Sequence, residues 1–478
     1  MPNIGNALRQ YLELGISRLE ASNAQFPASS FGAEVERAIS LLAKFNNAVF
    51  ISAGQGEHGI TLATADKFCR DRPGQVRREV FRLDAKQFLG AFGGQPEMRL
   101  KEIAGVLENA RERTLLVITS LEEFIREERL TKLFQGLIKK TSVPLLGTTT
   151  IGGFRQLEKN PELAGCLQFI LSRKFPPSHK RNKSVLIIGA TSLLGNALYG
   201  LFSREYAQVR GTGFSKASSL GFDELDVTSA KEIREYFSKY PDFDIIIYAA
   251  GEADADAAEK ERDRARILNS EAVSTVARYA KCGKFVYISS EYVFDGSSGP
   301  YGSDSPARPI NYYGFTKLEG EKAALQSFPE ALVVRLGALY GYNGPGDKKT
   351  SVSKLIAGLD RPEPLVADNL QVKHPLLLED AAGTLLKLLD YAASGIYQTN
   401  GPEGLNKQEM AEQIAAVRHE LTGHIFSYPI TGVAQTGGAA KPLNTQMVNV
   451  DTPRLFNAGI RFLLLKQKAF KNKDNDGY

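Results

Sequence analysis

Cysteine is scarce. Cys69, Cys166 and Cys282 are the only three in 478 residues, widely separated and without a CxxC pair. That pattern excludes a disulfide framework and a cysteine-based zinc site, and it fits lone buried thiols in a reducing compartment. No metal site is expected. No apolar run reaches the ~18 residues that span a bilayer. The opening Met-Pro-Asn-Ile-Gly lacks the basic-then-apolar pattern of a secretory leader. The expectation is a cytoplasmic protein with no membrane partner. Charge of one sign is lacking too. Lys and Arg total 59 against 54 Asp and Glu, a net +5. So small and dispersed a surplus gives no footprint for nucleic acid.

What is present is an ordinary globular composition, 43% apolar, in a chain long enough for two or three domains. The clearest break is Lys174-Phe-Pro-Pro-Ser-His-Lys-Arg-Asn-Lys183. It is basic, carries paired prolines and has no apolar period, so it reads as a linker. The expected divisions are 1–173, a linker at 174–183, a second domain at 184–462, and a loose charged tail at 463–478. Both sides of the linker alternate short apolar strands with helices, the pattern of α/β sheets. On the N-terminal side, helices are expected at 33–45, 62–70, 100–111 and 130–139, with strands at 47–51, 114–118 and 143–147. On the C-terminal side, strands are expected at 184–188, 208–211, 244–249, 284–289 and 331–336.

In the N-terminal half, Gly54-Gln-Gly-Glu-His-Gly59-Ile60-Thr61 lies between a strand and a helix, with the spacing of a phosphate-binding P-loop. Ile60 occupies the lysine position and cannot neutralise a phosphate. Glu57 adds a negative charge inside the loop. The acids that hold Mg²⁺ and orient water are missing after the later strand, which reads Leu116-Val-Ile-Thr119-Ser120. His58 is assigned no role. Around this loop stand Phe31-Gly-Ala-Glu-Val-Glu-Arg, Asn46-Asn-Ala-Val-Phe-Ile51, Leu83-Asp-Ala85, Glu97-Met-Arg-Leu-Lys101 and Gly147-Thr-Thr-Thr-Ile-Gly-Gly-Phe-Arg155-Gln-Leu-Glu-Lys-Asn160. On these stretches, residues 31–171 resemble the first AAA+ module of Clp/Hsp100 unfoldases. The resemblance implies a degenerate module. The family's arginine pair falls on Gly165 and Cys166, and its pore-loop aromatic falls near Phe92. The expected role is a non-hydrolysing scaffold offering a surface to a protein partner.

In the C-terminal half, Ser184-Val-Leu-Ile-Ile188 runs into Gly189-Ala-Thr191-Ser192-Leu193-Leu194-Gly195 and then a helix. A strand, a tight glycine turn and a helix N-terminus make an anion cradle for a pyrophosphate. The middle glycine of the GxxGxxG spacing is replaced by Ser192, whose side chain either donates a hydrogen bond or weakens binding. Ser215 and Lys216 follow the second strand, where an acid would take the ribose of NAD. This pair suits the 2′-phosphate of NADP, although Lys216 also reads as a plain surface lysine. Asp226 and Val227 sit where the fold meets adenine. Ala249, Ala250 and Gly251 end the next strand beside the cofactor.

The chemistry lies further on. Ser290 ends a strand, and Tyr313 and Lys317, four apart, share one face of a following helix. A lysine there lowers the tyrosine pKa and grips the cofactor ribose. Tyr313 exchanges a proton with a carbonyl oxygen as hydride moves, and Ser290 donates a hydrogen bond to that oxygen. The carrying stretches are Ile288-Ser-Ser-Glu-Tyr-Val-Phe-Asp-Gly296, Pro309-Ile-Asn-Tyr-Tyr-Gly-Phe-Thr-Lys317, Val334-Arg-Leu-Gly-Ala-Leu-Tyr-Gly341, His374-Pro-Leu-Leu-Leu-Glu-Asp-Ala-Ala382 and Lys441-Pro-Leu-Asn444. On them the half resembles the dTDP-4-dehydrorhamnose reductases, of the extended short-chain dehydrogenase/reductase kind. It also resembles the regulatory β subunits of methionine adenosyltransferase, which share that fold. The reductases usually have Thr at Ser290, Asp at Glu291 and often Thr at Leu376. The resemblance implies that Ser290, Tyr313 and Lys317 are catalytic and that the substrate is a nucleotide-linked 4-keto deoxysugar. His374 reads as a surface histidine or a substrate contact.

The expected whole is α/β in two domains: a degenerate AAA+ P-loop domain, then a Rossmann-fold reductase domain. The expected cofactor is NADP, with NAD as the alternative, and a homo-oligomer is expected. Two rival roles stay open, a catalytically idle regulatory subunit and an adaptor for a Clp-like ring.

Overall fold

The computed structural model describes residues 16–18, 32–52, 57–70, 79–90, 96–108, 114–125, 128–140, 143–173, 180–214, 217–344, 347–426, 428–434 and 437–475. The chain divides into two compact units. Unit 1 is Met1–Pro176 together with Val448–Thr452, and unit 2 is Pro177–Met447 with Pro453–Tyr478.

Unit 1 holds a six-stranded sheet of β1 (Ile16–Arg18), β2 (Asn47–Ser52), β3 (Glu79–Asp84), β4 (Thr114–Thr119), β5 (Leu145–Thr150) and β6 (Phe169–Leu171). Their order is β1-β3-β4-β5-β2-β6. Only β1 runs antiparallel to its neighbour. Strand β2 is buried along its whole length and β4 along nearly all of it. Parallel strands covered on both faces read as unbroken apolar runs, which is why these were visible in the sequence. The helix Gly32–Phe45 buries Val35, Ala38, Leu41 and Leu42 on one face.

Several expected boundaries move. The strand expected at 143–147 starts after Pro144, which has no N–H to give to a ladder, and runs on to Thr150. The helix expected at 100–111 begins at Pro96, a residue suited to a first helical position. Residues 57–59, expected as loop, begin the helix Glu57–Arg70. Residues 448–452 belong to the edge of this sheet. The Leu171 N–H donates to Asp451 Oδ1 at 3.0 Å, the Thr452 N–H donates to the Phe169 carbonyl, and Arg37 Nη1 reaches Asp451 Oδ1 at 2.8 Å.

Unit 2 is built on seven strands: β7 (Arg181–Ile188), β8 (Tyr206–Gly213), β9 (Asp223–Glu224), β10 (Asp242–Tyr248), β11 (Lys281–Ser290), β12 (Leu332–Leu336) and, after three short strands, β16 (Gly395–Thr399). The order is β16-β12-β11-β10-β7-β8-β9, all parallel. This is a doubly wound Rossmann sheet. Its strand order reverses between β7 and β10, and ligands of such sheets bind at the carboxyl ends of the strands beside that reversal. The three short strands are β13 (Leu339–Tyr340), β14 (Leu365–Asp368) and β15 (Leu376–Leu377). Strand β13 pairs with β15, and β14 pairs with β17 (Ile430–Val433). The helices Ser351–Leu359, Lys407–Thr422 and Phe456–Asn475 close a separate core of unit 2 around Tyr340, Leu355, Met410, Ile414, Phe456 and Ile460.

The loose tail expected at 463–478 is a correction. The helix Phe456–Asn475 runs through most of it. Its Leu, Lys, Gln and Ala residues are strong helix formers, and charge alone does not prevent a helix. Strand β7 begins at Arg181, inside the stretch expected as linker.

Candidate functional site

The glycine turn sits at the strand-order reversal. Gly189 leaves β7 with φ +87°, a conformation open to glycine. A Cβ there would lie 2.5 Å from the Ala250 nitrogen. The turn is thus pressed against Ala249-Ala250-Gly251 at the end of β10, where the Ala249 N–H donates to the Ile188 carbonyl at 2.9 Å. Ser192 adopts an ordinary extended backbone and caps the helix Leu193–Glu205, its Oγ accepting from the Gly195 N–H at 3.0 Å. The position therefore needs no glycine, and the hydroxyl serves the helix. The N–H groups of Leu193 and Leu194 lie in the first turn, where no intrahelical partner exists, so they fit an anion. Thr191 packs over Gly213, where no Cβ would fit. The turn, the helix start and Gly251 fit a dinucleotide.

The remaining cofactor residues divide. Ser215 and Lys216 lie outside the described residues. Val227 is buried in the core. The Asp226 carboxylate accepts from the Thr228 N–H and hydroxyl, both at 2.8 Å, so it shapes its own turn.

The reactive trio gathers at the end of β11. Ser290 is its last residue. The helix Tyr312–Ser327 starts on Asn311, whose Oδ1 caps the Gly314 N–H at 2.8 Å. A Cβ at Gly314 would collide with the Tyr292 carbonyl, so glycine lets the helix press onto the strand end. Tyr313 and Ser290 share a hydrogen bond. Burial pushes the Tyr313 phenol up to about 12, while that bond pulls it down. Lys317 is buried, its Nζ 4.3 Å from the centroid of the Tyr287 ring. Burial brings its ammonium down to about 7, opposed by Glu321. Glu321 is itself chelated by Arg335 at 2.8 and 2.9 Å and takes the Ser289 hydroxyl. This buried pair braces the strand end behind the trio.

Several residues here escaped the sequence reading. Asn269 sits in a π-helical turn, Ile267–Glu271, a distortion frequent at functional sites. Its carbonyl accepts from the Tyr287 hydroxyl at 2.6 Å, and its amide donates to Thr316 Oγ1 and the Glu252 carbonyl. Its Oδ1 is buried without a partner among the described residues. Glu291 is 2% exposed, and its Oε2 has no partner among the described residues. Burial raises its carboxyl to about 7, against Lys373 and a hydrogen bond from Thr445. Lys373 Nζ donates to the Tyr292 hydroxyl at 3.1 Å. Burial pulls that ammonium down, but Tyr292 and Glu291 outweigh it and hold it above the usual lysine range. The Tyr292 ring meets that of Tyr313 edge-on at 5.7 Å.

His374, expected on the surface or at the substrate, is buried between the Gly401 carbonyl and Asn444 Oδ1. Leu376 is fully buried in β15. Among the described residues, no group of three or more His, Cys, Asp or Glu could hold a metal ion. No described helix is long and apolar enough to cross a membrane.

The family described as the RmlD substrate binding domain matches residues 183–462. The chain belongs to this family of sugar-nucleotide reductases. Among its relatives is the methionine adenosyltransferase 2 subunit beta of Xenopus tropicalis, 34% identical over 289 residues, which are 58% of this chain and 83% of the relative. Another is the probable low-salt glycan biosynthesis reductase of Haloferax volcanii, 30% identical over 243 residues, 48% of this chain and 79% of that protein. A solved dTDP-4-dehydrorhamnose reductase of Bacillus anthracis, in complex with NADP, is 25% identical with a TM-score of 0.51, covering 60% of this chain and all of that one. These matches account for unit 2 and leave the Clp/Hsp100 likeness of unit 1 as a resemblance.

Proposed function

We propose that unit 2 is an NADPH-dependent reductase of a nucleotide-linked 4-keto deoxysugar. The observation that carries this reading is the gathering of Ser290, Tyr313 and Lys317 at the end of β11, in the sheet whose glycine turn sits at the strand-order reversal. A bound NADPH supplies the hydride that reduces the keto carbon. Ser290 holds the keto oxygen, and Tyr313 gives it a proton. The Lys317 ammonium, one helical turn away, offsets the charge left on the phenolate. Water then reprotonates Tyr313, which closes the balance.

The decisive test mixes the purified chain with NADPH or NADH and dTDP-4-keto-6-deoxy sugar, and follows the nicotinamide absorbance. Oxidation that disappears in Tyr313→Phe supports the reductase. A preference for NADPH that fades in Lys216→Ala supports the role given to Ser215 and Lys216. Gly189, Thr191 to Gly195 and Ala249 to Gly251 would line the cofactor, with Asp226 and Val227 at its adenine end.

A second reading has its own support. The subunit beta relatives match over most of their length, and they favour an idle, cofactor-bound regulatory subunit. Tight NADPH binding without turnover across several keto sugars, together with co-elution with a methionine adenosyltransferase catalytic subunit, would decide for it.

For residues 1–173 we infer a P-loop-like scaffold that does not hydrolyse nucleotide, joined through 174–183 to the reductase domain at 184–462. The strand β2 followed by the helix Glu57–Arg70 supports it. So does Ile60, 1% exposed where a phosphate-binding lysine would stand. Co-elution with a Clp-type unfoldase would support a docking role, and ATP turnover would overturn the scaffold. We also infer a cytoplasmic homo-oligomer, to be read by light scattering and by fractionation.

A further inference from the structure

Within unit 2, Tyr292 stands between the two groups that would act on the keto oxygen. Its N–H donates to Ser290 Oγ at 3.2 Å. A hydroxyl that accepts in this way keeps its own hydrogen to give, so the bond orients Ser290 as a donor. The Tyr292 ring meets the Tyr313 ring edge-on, with centroids 5.7 Å apart. The Tyr292 carbonyl lies against Gly314, in the first turn of the helix that carries Tyr313. Ser290 and Tyr313 are therefore both placed by where Tyr292 sits.

The far end of Tyr292 is held from another element. Lys373 Nζ donates to its hydroxyl at 3.1 Å, and Gln371 Nε2 reaches the same oxygen at 3.5 Å. Gln371 is shared, since its amide also donates to the Pro442 carbonyl at 2.9 Å. The shorter bond is also the charge-assisted one, so the lysine carries most of the grip. The backbone of Lys373 is itself pinned. It exchanges both hydrogen bonds with Leu405, at 2.9 and 2.8 Å. The Val372 N–H, one residue before, donates to the Leu443 carbonyl at 2.8 Å. Leu405 is buried in the separate core of unit 2, with Tyr340 and Met410. The ammonium thus reaches Tyr292 from a fixed base.

We propose that Lys373 is a positioning residue for Ser290 and Tyr313, acting through Tyr292. Its ammonium pins the Tyr292 phenol. Tyr292 then sets the Ser290 hydroxyl through its N–H and the Tyr313 ring through its own. The core of unit 2 that carries Leu405 is in this way coupled to the end of β11. A misplacement of about 1 Å at reacting groups costs on the order of 10²-fold in rate, so loss of the pin falls on kcat.

The proposal rests on the reductase reading, and its test has one arm with turnover and one without. In steady-state kinetics with NADPH and a keto sugar, Lys373→Met is expected to lower kcat by roughly 10- to 100-fold, with KM near wild type. Lys373→Arg, which keeps a charged donor, is expected to recover most of the loss. Tyr292→Phe keeps the ring and removes the oxygen that Lys373 holds. It is expected to match Lys373→Met, and the double variant to be no slower than either single one. A raised KM at unchanged kcat, or losses that multiply in the double variant, overturns the proposal. Should Lys373→Met fail to fold, Tyr292→Phe reads the same bond from its other end, and a wild-type kcat there overturns the proposal. In the second arm, hydrogen exchange of the full chain is followed by mass spectrometry without cofactor or sugar. Lys373→Met is expected to speed exchange at 290–294 by about tenfold, with β7 unchanged as an internal reference. Exchange there as in wild type overturns the proposal. If wild type turns over no keto sugar, the reductase reading fails and the exchange arm alone decides the positioning. If wild type turns over and Lys373→Met keeps its kcat, the positioning fails and the reductase reading stands.

Discussion

Tyr313, Lys317 and Glu291 are three ionisable groups removed from water within one site, and each makes a separate prediction. Tyr313→Phe keeps the ring and removes the proton donor. Turnover should fall by ~10²–10⁴-fold while NADPH binding, followed by fluorescence, stays near wild type. Lys317 titrates near about 7 in the fold and near ~10.4 when unfolded. Between those values the unfolded chain holds the extra proton, so this group's contribution to stability rises with pH. Below pH 7 both states are protonated and the burial cost is complete. The melting temperature of wild type relative to Lys317→Met should therefore climb from pH 7 to pH 9. A difference that stays flat would remove the buried-ammonium account. Glu291 behaves in the opposite sense. Its folded value of about 7 lies above the ~4.3 of an unfolded glutamate, so the native state holds the extra proton between them. Wild type should lose stability relative to Glu291→Gln as pH rises from 4.5 to 7, as read by urea denaturation at fixed pH steps.

Among the elements, two supports are open to test. Ser192 caps the helix Leu193–Glu205. Ser192→Ala should cost about 1 kcal/mol of stability, and Ser192→Gly only a few tenths. Calorimetry of the two variants separates a capping serine from a weakened glycine fingerprint, because a defective fingerprint predicts tighter NADPH binding in the glycine variant. The Glu321–Arg335 pair is buried on both sides, with side chains 2% and 3% exposed. Removing one partner strands the other charge, at a cost of about 3–5 kcal/mol. Arg335→Leu should thus lower the melting temperature far more than removal of the exposed Lys132–Glu128 pair.

At the scale of the whole molecule, the sequence showed what is local. Tyr313 and Lys317 were legible because one helical turn brings them together. The glycine turn was legible because strand, turn and helix are consecutive. The partnership of Glu291 with Lys373 and Thr445 was not, since those residues lie more than 80 positions apart and their own surroundings are unremarkable. Strand β3, Glu-Val-Phe-Arg-Leu-Asp, mixes charge with apolar residues and gave no clear period. Strand β6 is only three residues long. Nothing in Val448-Asn-Val-Asp451 says that it completes a sheet begun far upstream. Sequence resemblance placed unit 2 in its family, while the likeness of unit 1 rests on scattered stretches.

That late completion has a consequence for synthesis. The β6 edge leaves the ribosome about 280 residues before Asp451 does. At ~5–20 residues per second, the interval is roughly 15–55 s. During it, the main-chain groups of Phe169 and Leu171 face water or any passing strand, and the unpaired edge is a template for misassembly. A nascent chain stalled before Val448 should therefore be captured by chaperones or clipped near β6, and one stalled well past Thr452 should not.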